Sequence, residues 1–96
     1  MIEVRKTAVF AAWLDDLRDV KAQLRIVARI ARMESGIPGD VRSVGEGVVE
    51  MRIDYGPGYR VYFVRQGALI VILLCGGDKS TQAADIARAK RMAKEL

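Results

Sequence analysis

The chain has 96 residues, of which 51% are hydrophobic and 29% charged, and sixteen Lys and Arg against twelve Asp and Glu give a formal net charge of +4. This length and composition predict one globular domain over residues 1–96 and leave no room for a second core. There is no His, and Cys75 is the only cysteine. Zinc sites of Cys and His, nucleophiles activated by His, and disulfides within the chain are therefore excluded. We predict neither a metal nor a cofactor.

Three features predict a cytoplasmic protein with no membrane partner. A lone cysteine suits a reducing compartment, and residues 1–10 carry charges in place of an uninterrupted apolar signal region. The longest apolar run, residues 68–75, has eight residues, against the roughly 20 that a membrane-spanning helix needs. The excess of positive charge favours an anionic partner without identifying it.

The first part of the chain predicts one short strand and two helices. Residues 2–5 predict the strand, and the Thr7 hydroxyl is a candidate N-cap for the first helix. The apolar face of that helix has helical spacing and consists of Val9, Phe10, Trp13, Leu14 and Leu17. The second helix begins near Val20, with one stripe of Leu24, Val27 and Ala31 and another of Ile26, Ile30 and Met33. The Gly-Ile-Pro-Gly sequence at residues 36–39 ends it, because Pro38 cannot donate a backbone hydrogen bond.

From Val41 the hydrophobic period changes to two, which is typical of strands. We predict strands over residues 49–54, 59–64 and 68–75, with turns at residues 55–58 and 66–67, and a last helix over residues 80–95. Short connections favour antiparallel neighbours. The prediction is an α+β fold of order β-α-α-β-β-β-α. It contains a small, twisted, mainly antiparallel sheet, with the two N-terminal helices on one face and charged side chains on the other.

Two adjacent strands place polar side chains on that second face, which we expect to be exposed: Glu50, Arg52, Asp54, Arg60 and Tyr62. Cross-strand neighbours have Cβ atoms about 5 Å apart, so the two guanidinium groups are close enough to grip one phosphate if the register permits. Planar donors beside an aromatic ring are also what recognition of single-stranded RNA requires. The alternative is a solvated face whose charges pair with each other.

The segment after the last strand offers a weaker signal. Gly76 and Gly77 precede Asp78 and Lys79, whereas a phosphate loop needs Gly directly before the Lys. What remains is an anion site at the start of the last helix, or a plain turn capped by Asp78 or Ser80. The last helix itself is either a basic helix for nucleic acid or a covering helix with solvated lysines. Cys75 is predicted to be a packed small hydrophobe.

Two stretches of the chain resemble a known family. Residues 45–62, GEGVVEMRIDYGPGYRVY, and residues 73–80, LLCGGDKS, are similar to the addiction-module killer proteins, HigB-like toxins of the RelE/ParE superfamily. The similarity extends over nearly the whole chain, including Phe10, Trp13 and the turn at residues 36–39. The family fold, a small twisted sheet with two N-terminal helices and one C-terminal helix, agrees with the predicted order of elements.

The resemblance implies the toxin of a type II toxin–antitoxin system. Such a toxin is a ribonuclease that cuts messenger RNA, often on the ribosome, by attack of a ribose 2′-OH on the adjacent phosphate. A cognate antitoxin, expected to carry a helix-turn-helix domain, neutralises it. The implied catalytic residues are Glu50 as base, Arg52 and Arg60 on the phosphate, and Lys79 as a further phosphate ligand or acid. The implied RNA-binding residues are Tyr59, Tyr62, Lys90 and Arg91.

Two positions depart from RelE itself. Glu50 stands where RelE has a Lys, and Asp85 lies near the place of a catalytic Tyr, so a stacking and proton-transfer group is missing. Two further functions stay open. One is a non-catalytic inhibitor of DNA gyrase, as in the ParE branch of the superfamily. The other is a nucleic-acid-binding module without toxicity.

Overall fold

A computed structural model describes all 96 residues and confirms the α+β class. The order of elements is the predicted one with an additional strand. The elements are β1 (Glu3–Lys6), α1 (Ala8–Asp15), α2 (Val20–Glu34), β2 (Val41–Gly45), β3 (Val48–Ile53), β4 (Tyr59–Gln66), β5 (Ile70–Gly77), a 3-10 turn (Lys79–Thr81) and α3 (Gln82–Lys94). None of the helices is long and apolar enough to cross a membrane.

The five strands form one sheet in the order β1-β5-β4-β3-β2. Strands β2 to β5 are an antiparallel meander, as predicted for the last three, and β1 joins β5 in parallel. The additional strand, β2, was not assigned from the sequence, although the period of two begins at its first residue. Its apolar residues Val41 and Val44 are only half-buried, because β2 lies at the edge of the sheet. Val41 packs against the core on one face of the sheet and Val44 against the core on the other, so β2 shows no apolar alternation in the sequence.

Helices α1 and α2 cover one face of the sheet and bury the main core. Thr7 caps α1 as predicted: its hydroxyl accepts a hydrogen bond from the Phe10 backbone N–H at 3.0 Å. Of the two apolar stripes on α2, the sheet buries Ile26, Ile30 and Met33. The stripe with Leu24 and Val27 faces outward, so the sequence pattern gave the two faces of this helix without telling which is buried.

Helix α3 covers the opposite face, which corrects the prediction that this face is exposed. Glu50 and Tyr62 have no solvent-accessible surface and Arg60 is 7% exposed. The second core packs under α3 around Tyr62 and Ala89. The alanines of α3, which make it a poor membrane helix, allow it to approach the sheet closely. The structure confirms that α3 is a covering helix.

The two glycines at the end of β5 serve this close packing. A Cβ on Gly76 would collide with the Trp13 ring on one face, and a Cβ on Gly77 would collide with the Asp85 carboxylate on the other. Cys75, one residue earlier, is 1% exposed, as predicted for a packed small hydrophobe. Burial raises the pKa of its thiol to about 11, which makes it unreactive at neutral pH.

Candidate functional site

An open cleft of about 370 Å³ lies where β3 ends, β4 begins and the 3-10 turn starts. Three of the predicted catalytic residues, Arg52, Arg60 and Lys79, line it. The other lining residues are Asp40, Ile53, Asp54 and Gly58. Three cationic side chains against two carboxylates leave the cleft with an excess of positive charge, which suits an anionic ligand.

Arg52 and Arg60 are direct cross-strand partners in the β3–β4 ladder. The register therefore places both side chains on the same face, as the phosphate-gripping hypothesis required. Like charges directly opposite each other destabilise a sheet. Arg60 is compensated by Glu50, but Arg52 and Lys79 form no ion pair with any carboxylate. The alternative of paired charges therefore describes Arg60, which pairs with Glu50, but not Arg52 or Lys79.

The turn at residues 55–58 holds Arg60 and Lys79 at the cleft. The Gly58 carbonyl accepts a hydrogen bond of 2.8 Å from Arg60 Nη1, and the Pro57 carbonyl accepts one of 3.4 Å from the Lys79 backbone N–H. Gly58 has φ = 80°, and a Cβ on it would lie 3.2 Å from Arg60 Nη1. Glycine is needed here for both its backbone conformation and the close approach of the guanidinium.

The start of the 3-10 turn is capped from within the chain. Asp78 Oδ1 accepts hydrogen bonds from the Ser80 N–H at 2.8 Å and from the Ser80 hydroxyl at 2.5 Å. These bonds lower the pKa of Asp78. The structure thus confirms the plain capped turn, and the Ser80 N–H is not free to bind an anion.

Glu50 lies behind the cleft, in the interface between the sheet and α3. Its carboxylate accepts hydrogen bonds from Arg42 Nε at 2.9 Å, Gln82 Nε2 at 2.9 Å and the Tyr62 hydroxyl at 3.1 Å. Arg60 Nε, which has no hydrogen-bond partner, is 3.5 Å from Glu50 Oε2. The side chain therefore joins β2, β4 and α3 through one carboxylate.

This position corrects the prediction of Glu50 as an exposed base. Burial alone would raise the pKa of Glu50, but the hydrogen bonds from Gln82, Arg42 and Tyr62 outweigh it and hold the pKa below its usual value. A carboxylate that is fully buried, satisfied by donors and reluctant to take a proton is suited to holding Arg60 in place. It is not suited to removing a proton from a substrate in the cleft.

The predicted RNA-binding residues do not gather at the cleft. Tyr62 is buried, and burial together with the Glu50 charge raises the pKa of its hydroxyl, so its ring is not available to stack on a base. Tyr59 is half-buried and packs edge-on against Trp13, with ring centres 6.2 Å apart. Neither ring lines the cleft.

The two basic residues of α3 lie elsewhere. Lys90 is 3.5 Å from Glu46 Oε2, and Glu46 belongs to the turn between β2 and β3. That turn is at the opposite end of β3 from Arg52, and Val48, where β3 begins, is about 13 Å from Arg52 at the rise of an extended strand. Arg91 is exposed on the same helix. The structure does not bring Lys90 or Arg91 to the same site as Arg52.

Three residues that shape the cleft were not assigned to the site from the sequence. Arg29 on α2 donates a hydrogen bond of 2.7 Å to the Arg52 carbonyl and fixes the end of β3. Asp40 lines the cleft, and its carbonyl accepts a hydrogen bond of 3.0 Å from the Arg52 N–H. Asp54, noted in the sequence only as a charge on a strand face, is the other carboxylate at the cleft. Nothing in the helical pattern of α2 distinguishes Arg29 from its neighbouring arginines.

Replacing Tyr62 with Phe is expected to lower the free energy of unfolding by about 1–2 kcal/mol, because a donor to the buried Glu50 carboxylate is lost. Urea-induced unfolding measures this change. Tyr59→Phe is the matched control, since the Tyr59 hydroxyl makes no hydrogen bond within the chain, and it should leave the free energy within about 0.5 kcal/mol of the parent. Equal effects of the two substitutions would contradict the role given to the Tyr62 hydroxyl.

Comparisons with known proteins point to one family. The profile described as phage-derived protein Gp49-like (DUF891) matches residues 12–95. A Haemophilus influenzae protein described as uncharacterized is 50% identical over 95 residues, which is 99% of this chain and 96% of the relative. No solved structure matches the chain significantly.

Proposed function

We propose that this protein is an RNA-cleaving toxin. The chain belongs to the Gp49-like family of phage-derived proteins, which is a family of RelE-like toxins. In this proposal it is a HigB-like toxin of a type II toxin–antitoxin system that cuts messenger RNA. The observation that carries the proposal is the pair of cross-strand arginines, Arg52 and Arg60, beside Lys79 in an open cleft. Two of these three cations have no carboxylate partner, as a site that awaits an anion requires.

The proposed reaction needs no histidine. The ribose 2′ oxygen forms a bond to the adjacent phosphorus, and the bond from phosphorus to the 5′ oxygen breaks. A 2′,3′-cyclic phosphate and a 5′-OH result. The phosphate gains a negative charge on the way to the transition state, and Arg52, Arg60 and Lys79 stabilise that charge. One donor placed for the transition state contributes about 10²- to 10³-fold in rate.

Two protons move in this reaction. The 2′-OH gives one to a single carboxylate at the cleft, either Asp54 or Asp40, in place of the buried Glu50. The leaving 5′ oxygen gains one. Lys79, which is exposed at the cleft, supplies an ammonium proton and also binds the phosphate. The arrangement orients the 2′-OH for in-line attack by holding both sides of one phosphate.

The proposal is tested by incubating the protein with a defined messenger RNA, with and without ribosomes, and mapping the 5′ ends of the products. New ends bearing a 5′-OH in either reaction support a ribonuclease. Intact RNA in both reactions, together with gyrase-linked DNA breaks in cells that express the protein, would favour the ParE-like inhibitor. Unimpaired growth of cells after induction, with no endogenous antitoxin present, would favour a nucleic-acid-binding module without toxicity.

A cognate antitoxin with a helix-turn-helix domain is the proposed protein partner. In support, the outward stripe of α2 exposes apolar side chains in a row: Val20 is 64%, Leu24 63% and Val27 48% exposed. A contiguous apolar row is more typical of a contact surface than scattered single residues are. Genomic fragments of the source organism that restore growth to cells expressing the toxin should encode such a protein. To count as the antitoxin, the encoded protein should also copurify with this chain.

A further inference from the structure

A second groove of about 320 Å³ lies beside the cleft, between α2 and the end of β3. It is lined by Arg25, Ala28, Arg29, Arg32, Ile53 and Asp54. The three arginines are four and three residues apart, a spacing that puts them on one face of the helix. None of them forms an ion pair with a carboxylate. The groove therefore collects three guanidinium groups whose charges are not neutralised within the chain.

The central arginine is fixed in place before any ligand arrives. Arg29 donates hydrogen bonds to the carbonyls of Arg52 at 2.7 Å, Pro38 at 3.1 Å and Asp40 at 3.5 Å. Its Nε atom is buried and has no hydrogen-bond partner. Burial and the nearby charge of Arg32 lower the pKa of Arg29, so its charge is held at a cost that a bound anion would relieve.

Arg25 is also held in place, because its guanidinium lies over the Tyr55 ring at 4.6 Å from the ring centre. A charged side chain that is already ordered loses less entropy when it binds a ligand. Arg32, in the last turn of α2, completes the set. Two ordered guanidinium groups and a third beside them are a typical binding site for a phosphate.

The groove and the cleft are neighbours, since Ile53 and Asp54 line both. Together they present six cationic side chains and two carboxylates. A mononucleotide fills only one of the two. A chain of phosphates, crossing from the cleft over the end of β3 to α2, occupies both, and single-stranded RNA is such a chain.

We infer that Arg25, Arg29 and Arg32 form a second phosphate-binding subsite, which holds the RNA strand that flanks the phosphate in the cleft. The inference rests on the proposed ribonuclease function. It adds that the substrate is a strand of several nucleotides, and it names the side of the cleft on which that strand continues. An acidic segment of a protein partner is the competing occupant of the groove.

The test uses the Arg25→Gln, Arg32→Gln double variant and leaves Arg29 in place, because Arg29 also holds three backbone carbonyls. Binding of a fully 2′-O-methylated single-stranded RNA of about 12 nucleotides, which cannot be cleaved, is measured by fluorescence anisotropy over a series of salt concentrations. We expect about tenfold weaker binding than in the parent protein. The slope of log K against log salt should fall by about 1.4, since each lost phosphate contact contributes about 0.7.

The matched control is the Arg65→Gln, Arg88→Gln double variant, which removes the same charge from exposed residues outside both grooves. A 2′-O-methylated dinucleotide has one phosphate and cannot occupy both grooves at once, so the Arg25→Gln, Arg32→Gln variant should lose less affinity for it than for the oligonucleotide of about 12 nucleotides. Equal losses in the two double variants would overturn the inference, since net charge alone would then explain them. Unchanged RNA binding by the Arg25→Gln, Arg32→Gln variant would also overturn the inference. If that variant instead binds an acidic protein partner more weakly, the groove belongs to the protein partner.

Failure of the inference and failure of the proposed function give different results. If the parent protein cuts messenger RNA and the α2 variant binds the long oligonucleotide as tightly as the parent does, only the second subsite is ruled out. Parent protein that does not cut RNA, with or without ribosomes, would remove the proposed function. Absence of any binding of the parent to the long oligonucleotide would also overturn the second subsite.

Discussion

Replacing Arg52 with Ala is expected to lower the rate of RNA cleavage by about 10²- to 10³-fold and to leave the fold intact. The Arg52 side chain is exposed and makes no hydrogen bond or ion pair within the chain. Its backbone groups, which bond to Asp40 and Arg29, are kept in the alanine variant. Removing a charge from its place opposite Arg60 also relieves repulsion across the ladder. The free energy of unfolding should therefore be equal to that of the parent or slightly higher.

The measurement is the single-turnover rate of cleavage of a defined message, with ribosomes if the parent requires them, alongside urea unfolding of the same preparations. Arg52→Lys keeps the charge but loses the planar fork and should give an intermediate rate. Arg65→Ala, on β4 but away from the cleft, is the control and should cleave like the parent. Cleavage by Arg52→Ala at the parent's rate would remove the proposed site.

Arg60 gives a less direct test of the same site, because the structure ties it to the core. It is 7% exposed and its Nε lies 3.5 Å from the Glu50 carboxylate. A loss of cleavage in Arg60→Ala therefore combines lost phosphate binding with a disturbed interior. Arg52 separates the two effects, since its side chain is exposed and forms no ion pair with a carboxylate. This difference between two arginines that face each other on the ladder is invisible in the sequence.

The strands and helices that carry strong periodicity were predictable from the sequence. The alternation in β3 and β4 predicted that Arg52 and Arg60 share a face, and the structure adds the register, which makes them direct cross-strand partners. The edge strand β2 was missed, because its two valines are three residues apart and pack on opposite faces of the sheet, which leaves no apolar alternation in the sequence. What the period of a strand does not reveal is whether its polar face meets water or another helix.

The position of α3 was the step that the sequence did not determine. Its stripe of alanines is compatible with a solvated helix and with a covering helix, and small side chains alone do not decide between them. Because α3 covers the sheet, Glu50 and Tyr62 are a buried hydrogen-bonded pair. Neither lines the cleft, so Glu50 cannot act there as a base and the Tyr62 ring cannot stack on an RNA base. The family resemblance identified Arg52, Arg60 and Lys79 as site residues but did not show that Glu50 and Tyr62 beside them are buried.

The second large effect is expected at Glu50, where Glu50→Gln should lower the free energy of unfolding by about 3–5 kcal/mol. The carboxylate accepts hydrogen bonds from three donors and forms an ion pair with Arg60, whereas an amide has one oxygen and no charge. Whichever way the amide is turned, its NH₂ group faces an arginine Nε, which can only donate: Arg42 Nε on one side or Arg60 Nε on the other. The buried Arg60 guanidinium also loses its counter-ion. A buried charge without a partner is among the most costly defects in a protein interior.

The pH dependence of stability provides a second test of Glu50. A simple loss of packing would lower stability without changing its dependence on pH. Glu50 has a pKa in the folded chain below its ordinary value of about 4.5, so its contribution to stability is present above that pH. The contribution is lost as the pH falls through the folded pKa, where the buried carboxylate takes up a proton. Urea unfolding measured between about pH 7 and pH 3 should show a steeper loss for the parent than for Glu50→Gln, which has no proton to take up at this position.

The matched control for the pH series is Glu95→Gln, which removes a carboxylate exposed at the end of α3 that makes no ion pair. It should keep both the stability and the pH dependence of the parent. Glu50→Gln with the parent's pH dependence would show that Glu50 is not the group that titrates. A Glu50→Gln variant as stable as the parent would contradict the buried network, and with it the idea that this carboxylate holds Arg60 at the cleft. The same substitution should also reduce RNA cleavage at a temperature where both proteins stay folded. Arg52 and Lys79 are unchanged in this variant, so the reduction would come from a displaced Arg60.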